Sequence, residues 1–152
     1  MSSSPDAAPA PAPPIRVLVV DDSPDITDVV CHFVDAEPTM ECVGCLFSAD
    51  DLLEEVRRLR PDVLVLDARM PGKDSLTAMT ELSPEFSQLK TIFHSGFDDP
   101  DFIDLVIDAG AWGFVSKHHD PATLVRAIGE VAAGRIVFPG PRGRSAPAGP
   151  EL

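Results

Sequence analysis

Residues 15–24 read IRVLVVDDSP. A nearly unbroken aliphatic run ends at two adjacent carboxylates. A strand half-covered by other chain segments alternates apolar and polar residues, whereas a continuous apolar run is expected of a strand covered on both faces. Residues 63–67, VLVLD, repeat the pattern and again end in a carboxylate. Three further short apolar segments complete the set of strand candidates: Met40–Leu46, Thr91–His94 and Trp112–Val115. Helical patterns separate them, at about 24–36, 49–59, 73–82, 100–109 and 121–133. In the last, Asp120 is placed to cap the helix, Pro121 suits its first turn and Gly134 its end. Leu124, Ala127, Ile128 and Val131 fall on one stripe at the helical period. Five strand–helix units predict an α/β fold, a five-stranded parallel sheet doubly wound by right-handed crossovers with helices on both faces. Functional groups in such a fold gather at the carboxyl ends of the strands.

The chain of 152 residues is long enough for one domain with a full core, and its 44% hydrophobic content suits a globular protein. Residues 1–14 are almost entirely Ser, Ala and Pro, and 139–152 are rich in Pro, Gly and Arg. Both are expected to be mobile arms, leaving 15–138 as the folded unit. The net charge of −13 opposes attachment to DNA or to an anionic membrane through the chain's own field. No apolar stretch approaches the ~20 residues of a membrane span, and no secretion signal opens the sequence, so a cytoplasmic location is expected.

Cys42 and Cys45 form a C-x-x-C, and Cys31 is the third cysteine. Residues three apart in a regular strand point to opposite faces, so the pair is read as ordinary packing and no metal or redox site is expected there.

The polar residues that end the strands form a set. Asp21 and Asp22 follow the first, Asp67 the third, Ser95 the fourth, and Ser116 and Lys117 the fifth. Any one aspartate could be a helix cap or turn residue, but three carboxylates converging on one point repel strongly unless a cation or shifted pKa values relieve them. Oxygen-only ligation favours a hard ion, with Mg²⁺ the expected one.

VLVVDDSP, VLVLDARMPG, the FHSG segment and GFVSK together resemble the receiver domain of bacterial two-component response regulators over residues 15 to about 138. The resemblance implies the flavodoxin-like strand order 2-1-3-4-5. It also implies that Asp67 accepts a phosphoryl group from a histidine kinase or phosphotransfer protein. Asp21, Asp22, Asp67 and the Arg69 backbone carbonyl would hold Mg²⁺, and Lys117 would pair with Asp67 and then with the phosphate. Ser95 would be the hydroxyl that moves to the phosphoryl oxygen, with Phe114 the aromatic that follows it. Arg69 and Phe97 would flank the path of the water that removes the phosphoryl group. Such a protein is a phosphoacceptor that assists its own chemistry rather than an enzyme acting on a separate substrate.

Three positions depart from the family pattern: Ser75 replaces a glycine, His118 a proline, and Phe114 the commoner tyrosine. His118 and His119 are read as a solvated loop pair. The nearest resemblance is to regulators with a C-terminal helix-turn-helix, yet only 18 residues follow Gly134. A stand-alone receiver without direct DNA binding is therefore expected. Aspartyl-phosphate hydrolases share the nucleophile but carry a second Asp where Arg69 stands. An oxidoreductase lacks its G-x-G-x-x-G after the first strand. A phosphate-independent interaction domain on the same fold is the main alternative.

A partner surface is expected on the fourth helix, fifth strand and fifth helix, serving a downstream protein or a second copy of the chain. Ala122, Val125, Gly129, Ala132 and Ala133 make a small-residue stripe on the last helix, and Asp101, Asp104 and Asp108 an acidic face on the fourth.

Overall fold

The computed structural model describes residues 12–139, so most of the two terminal arms lies outside the described residues. Five strands and five helices alternate along the chain: β1 (Ile15–Val20), α1 (Pro24–Asp35), β2 (Met40–Leu46), α2 (Leu52–Leu59), β3 (Val63–Asp67), α3 (Ser75–Leu82), β4 (Lys90–Ser95), α4 (Pro100–Asp108), β5 (Gly113–Ser116) and α5 (Pro121–Ala132). The strands form one sheet in the order β2-β1-β3-β4-β5, and every pairing is parallel. The α/β doubly wound fold and its flavodoxin-like order are as the sequence led us to expect. Among the described residues no helix is long and apolar enough to cross a membrane.

Each face of the sheet carries its own core. Val17, Val19, Val63, Val65 and Ile92 point toward α1 and α5, where they meet Val30, Val34, Leu124, Ile128 and Val131. Leu18, Val20, Leu64, Leu66 and Phe93 point the other way, toward Leu52, Val56, Met79, Leu82, Ile103 and Val106 of α2, α3 and α4. Alternate side chains of one strand thus enter different cores, which is why residues 17–20 of β1 and 63–66 of β3 are apolar throughout.

Local signals set the helix ends. Ser23, Asp74, Asp99 and Asp120 cap α1, α3, α4 and α5 by accepting backbone N–H groups of the first turn. Helix α2 starts three residues later than its pattern suggests. Residues 47–51 form bends and a turn instead, in which the Asp50 carboxylate receives the Lys73 amide across the loop after β3, at 2.9 Å. Beyond α5 the chain returns to the free edge of β5. The Phe114 amide donates to the Val137 carbonyl and the Val137 amide to the Trp112 carbonyl, at 2.8 and 3.0 Å, and Phe138 is buried behind them. This return covers backbone groups that would otherwise template pairing with another chain.

Two expectations need correction. The cysteines do not separate onto opposite faces. Val17 pairs with Cys42 but Leu18 pairs with Gly44, so Val43 is an extra residue in β2. This bulge resets the alternation, and Cys42 and Cys45, opposite Val17 and Val19, both face α1. Cys31 reaches them from that helix. Cys31 and Cys42 are joined as a disulfide with their Cα atoms 5.6 Å apart, and the free Cys45 Sγ lies 2.7 Å from the Cys31 Sγ and 4.0 Å from the Cys42 Sγ. Burial pushes the Cys45 thiol pKa up, and Asp28 and Asp35 push it further. Gly44 permits the close packing beside the bulge, because a Cβ there would stand 2.9 Å from Leu59 Cδ1.

The small-residue stripe of α5 is also placed differently. Val125 is buried in the core, and Ala122, Val125 and Gly129 line a groove of about 450 Å³ against Phe33 and Met40. α5 packs beside α1 on the same face of the sheet, so the stripe looks toward α1 rather than toward α4.

Candidate functional site

The carboxyl ends of β1, β3, β4 and β5 meet on either side of the point where the strand order reverses. β1 delivers Asp21 and Asp22, β3 ends on Asp67, β4 ends on Ser95, and Lys117 follows β5. Carboxylate oxygens of Asp21, Asp22 and Asp67 lie within 4.8 Å of one another. Asp21 and Asp67 are buried, and Asp22 is exposed.

Fixed donors hold the two buried carboxylates. Asp21 Oδ1 accepts the Ser23 amide at 2.9 Å, and Asp67 Oδ1 accepts the Arg69 amide at 3.3 Å. Lys117 Nζ stands 2.6 Å from Asp21 Oδ2 and 3.3 Å from Asp67 Oδ2. The nearer pair is a charge contact outside hydrogen-bonding geometry, which leaves Asp21 Oδ2 buried without a hydrogen bond. The lysine therefore bridges two carboxylates and leans toward Asp21. Burial opposes its charge, but the two carboxylates outweigh burial and hold its pKa above the ordinary lysine value. Asp67 is displaced upward. Its burial is the main cause and the Asp21 charge adds to it, while the Arg69 amide and Lys117 pull the other way.

This donor set fits a hard divalent cation. It consists of oxygens alone, one buried carboxylate oxygen lacks a hydrogen bond, and among the described residues Asp22 makes no hydrogen bond or ion pair. One positive charge from Lys117 does not balance three carboxylates.

The remaining positions frame the cluster. Ser95 is buried at the end of β4, its Oγ accepting the Phe97 amide at 3.0 Å and its carbonyl accepting the Lys117 amide at 2.8 Å. Phe114 is buried edge-on to Phe102, with ring centres 6.3 Å apart. The Arg69 guanidinium lies over the Phe97 ring, so the side chain two positions after Asp67 offers no acid or base to the carboxylates. His118 is an exposed loop residue whose ring meets the Gly96 carbonyl at 3.2 Å.

Two contributors were not assigned to the site from the sequence. Ser75, which departs from the family's glycine, is buried and donates through Oγ to the Asp67 carbonyl at 2.6 Å, fixing the end of β3. His94 is buried on β4 beside Asp67. Burial, then the charge of Lys117, lowers its pKa to about 4, against a smaller opposing effect of Asp21. The only signal for His94 was a basic residue within the apolar FHS strand end.

Comparison with known proteins agrees with this geometry. Residues 17–129 match the family model described as the response regulator receiver domain. The chain is 31% identical over 128 residues to the response regulator GacA of Pseudomonas viridiflava, a match covering 84% of this chain and 57% of that protein. It is 34% identical over 123 residues to the transcriptional regulatory protein LiaR of Bacillus subtilis, covering 79% of this chain and 57% of that one. The chain thus spans little more than half the length of these relatives. Among solved structures it is similar to the signal receiver domain of a NarL response regulator from Mycobacterium tuberculosis, with a TM-score of 0.77 and 27% identity over 82% of this chain and 100% of that one. With its family model covering the sheet from β1 to α5, the chain belongs to the receiver domains of two-component response regulators.

Proposed function

We propose that this receiver takes a phosphoryl group onto an Asp67 carboxylate oxygen from the phosphohistidine of a sensor kinase or phosphotransfer protein. The new bond is oxygen to phosphorus, the bond that breaks is nitrogen to phosphorus, and the histidine leaves with a proton. The carrying observation is the buried convergence of Asp67, Asp21 and Lys117 at the strand ends, with Ser95 on the adjacent strand.

The residues divide the work. Asp67 is aimed by the Arg69 amide and by the Ser75 hydroxyl on its carbonyl. Lys117 is already charged and close enough to turn from Asp21 to a phosphoryl oxygen. Asp21, Asp22, Asp67 and the Arg69 carbonyl are the groups that would hold Mg²⁺, which supplies positive charge against the equatorial oxygens. Ser95 supplies a hydroxyl to the phosphoryl group. Its present bond to the Phe97 amide is then given up, so the β4–α4 loop changes shape. The phosphoryl group carries ~1.5–2 negative charges where the carboxylate carried one, and this added charge drives the movement. The surface that responds is α4, β5 and α5, where Leu105 is 51% exposed between the exposed Asp101 and Asp108. A downstream protein or a second copy of the chain would read it.

The test is incubation of the chain with Mg²⁺ and acetyl phosphate, followed by intact-protein mass measurement. Wild type should gain one phosphoryl group and Asp67→Asn none. Equal labelling of both would remove Asp67 as the acceptor. No labelling of either would favour an interaction domain that works without phosphate.

A further inference from the structure

The bulge at Val43 gathers all three cysteines of the chain at one place, on the face of the sheet under α1. Cys31 comes from the third turn of α1, and Cys42 and Cys45 from β2. Every pair of sulfurs lies within 4.8 Å, and all three residues are partly accessible. A disulfide uses two sulfurs and leaves the third unpaired, here Cys45.

We propose that the reduced chain binds one thiophilic cation, of the Zn²⁺, Cd²⁺ or Cu⁺ class, on the sulfurs of Cys31, Cys42 and Cys45. Reduction of the Cys31–Cys42 bond by a dithiol, itself oxidised to a disulfide, transfers two electrons and two protons and yields two thiols beside that of Cys45. Binding then exchanges the three thiol protons for the cation. Two ligands of one such ion can stand no farther apart than about 4.6 Å, twice a metal–sulfur bond of about 2.3 Å. The 2.7 and 4.0 Å separations from Cys45 fall inside that limit. The Cys31 and Cys45 sulfurs must part by roughly 1 Å to admit an ion.

Charge and ligand type both favour this occupant. Asp28 and Asp35, whose charges act on Cys45, surround the sulfurs with negative potential. Asp35 is held there, its Oδ1 accepting the Cys42 amide at 2.8 Å. Such surroundings attract a cation, and the bound cation in turn favours the deprotonated sulfurs that ligate it. Soft sulfur ligands also separate this site from the oxygen cluster around Asp67, which suits Mg²⁺. Three protein ligands leave a coordination position open, so the site suits an exchangeable ion more than a closed structural one.

The experiment uses the full chain, reduced with a phosphine, freed of reductant without air, and titrated with Cd²⁺ in excess Mg²⁺. A sulfur-to-cadmium charge-transfer band should rise and saturate at one equivalent. All three thiols should resist alkylation until a chelator is added. Cys31→Ser, Cys42→Ser and Cys45→Ser should each weaken binding by about 100-fold or more, because even loss of a group that merely supports a ligand costs about 10- to 100-fold. Far-ultraviolet circular dichroism and a thermal melt of each variant establish that it is folded. The proposal is overturned if wild type shows no band, if any folded variant binds as wild type does, or if Cys45 alkylates equally fast with and without Cd²⁺.

Discussion

The guanidinium carbon of Arg69 lies 3.9 Å from the centre of the Phe97 ring. This cation–π contact joins the loop after β3 to the loop after β4, above backbone amides that bond Asp67 and Ser95. Neither side chain presents a carboxylate or amide that could orient an attacking water, so slow loss of the phosphoryl group is expected. Phe97→Glu should shorten the half-life of phosphorylated protein, on the order of tenfold. Phe97→Ala, which opens the mouth without adding a base, should shorten it less. Mass measurement over time after removal of the phosphodonor reads both. A half-life equal to or longer than wild type in the Glu variant contradicts the idea.

Asp22 is the exposed member of the acidic cluster, whereas Asp21 is engaged by Lys117 and the Ser23 amide. Asp22→Ala should therefore weaken Mg²⁺ binding by about tenfold or more, equivalent to about 1.4 kcal/mol, with little change in melting temperature. Isothermal titration checks the affinity, and an unchanged titration would remove Asp22 from the ligand set.

Asp67 has a pKa raised chiefly by burial, so its charged form is less favourable in the folded protein than in the unfolded one. A group shifted in this direction favours folding below its unfolded pKa, and that benefit is lost as pH rises through the folded value. At neutral pH the charge is a burden on stability. Asp67→Asn should accordingly melt at a higher temperature than wild type in metal-free buffer. Added Mg²⁺ should narrow the gap by stabilising wild type more. A lower melting temperature for the variant would show that the Lys117 pairing outweighs burial.

His94 titrates at about 4 when folded against an ordinary 6.5. The unfolded chain takes up a proton first as pH falls, so this stability is complete above about 6.5 and is lost as pH drops toward about 4. The full effect is about 3 kcal/mol, and about 2 kcal/mol of it is gone near pH 5. Urea unfolding at pH ~7 and ~5 should show the wild-type loss, and His94→Gln should lose less over the same interval. The comparison between the two proteins removes the opposing contribution of Asp67. Parallel losses would mean that His94 is not buried neutral.

The sequence alone determined the alternation of strands and helices and the order in which Asp21, Asp22, Asp67, Ser95 and Lys117 reach the strand ends. Those features are local. An apolar run buried on both faces, a capping aspartate or a carboxylate ending a strand depends on immediate neighbours in the chain. Tertiary structure decided what depends on register and on which helices share a face. Counting residues in β2 puts Cys42 and Cys45 on opposite sides, but the extra residue at Val43 reverses that parity and brings both to Cys31. The α5 stripe meets α1 because both helices cover the same side of the sheet. Lys117 leans toward Asp21, and Ser75 ties down the Asp67 carbonyl, because side chains distant in sequence compete for the same small space at the strand ends. A single-residue shift in strand register exchanges the faces of every side chain beyond it, and no local pattern in β2 announces the shift.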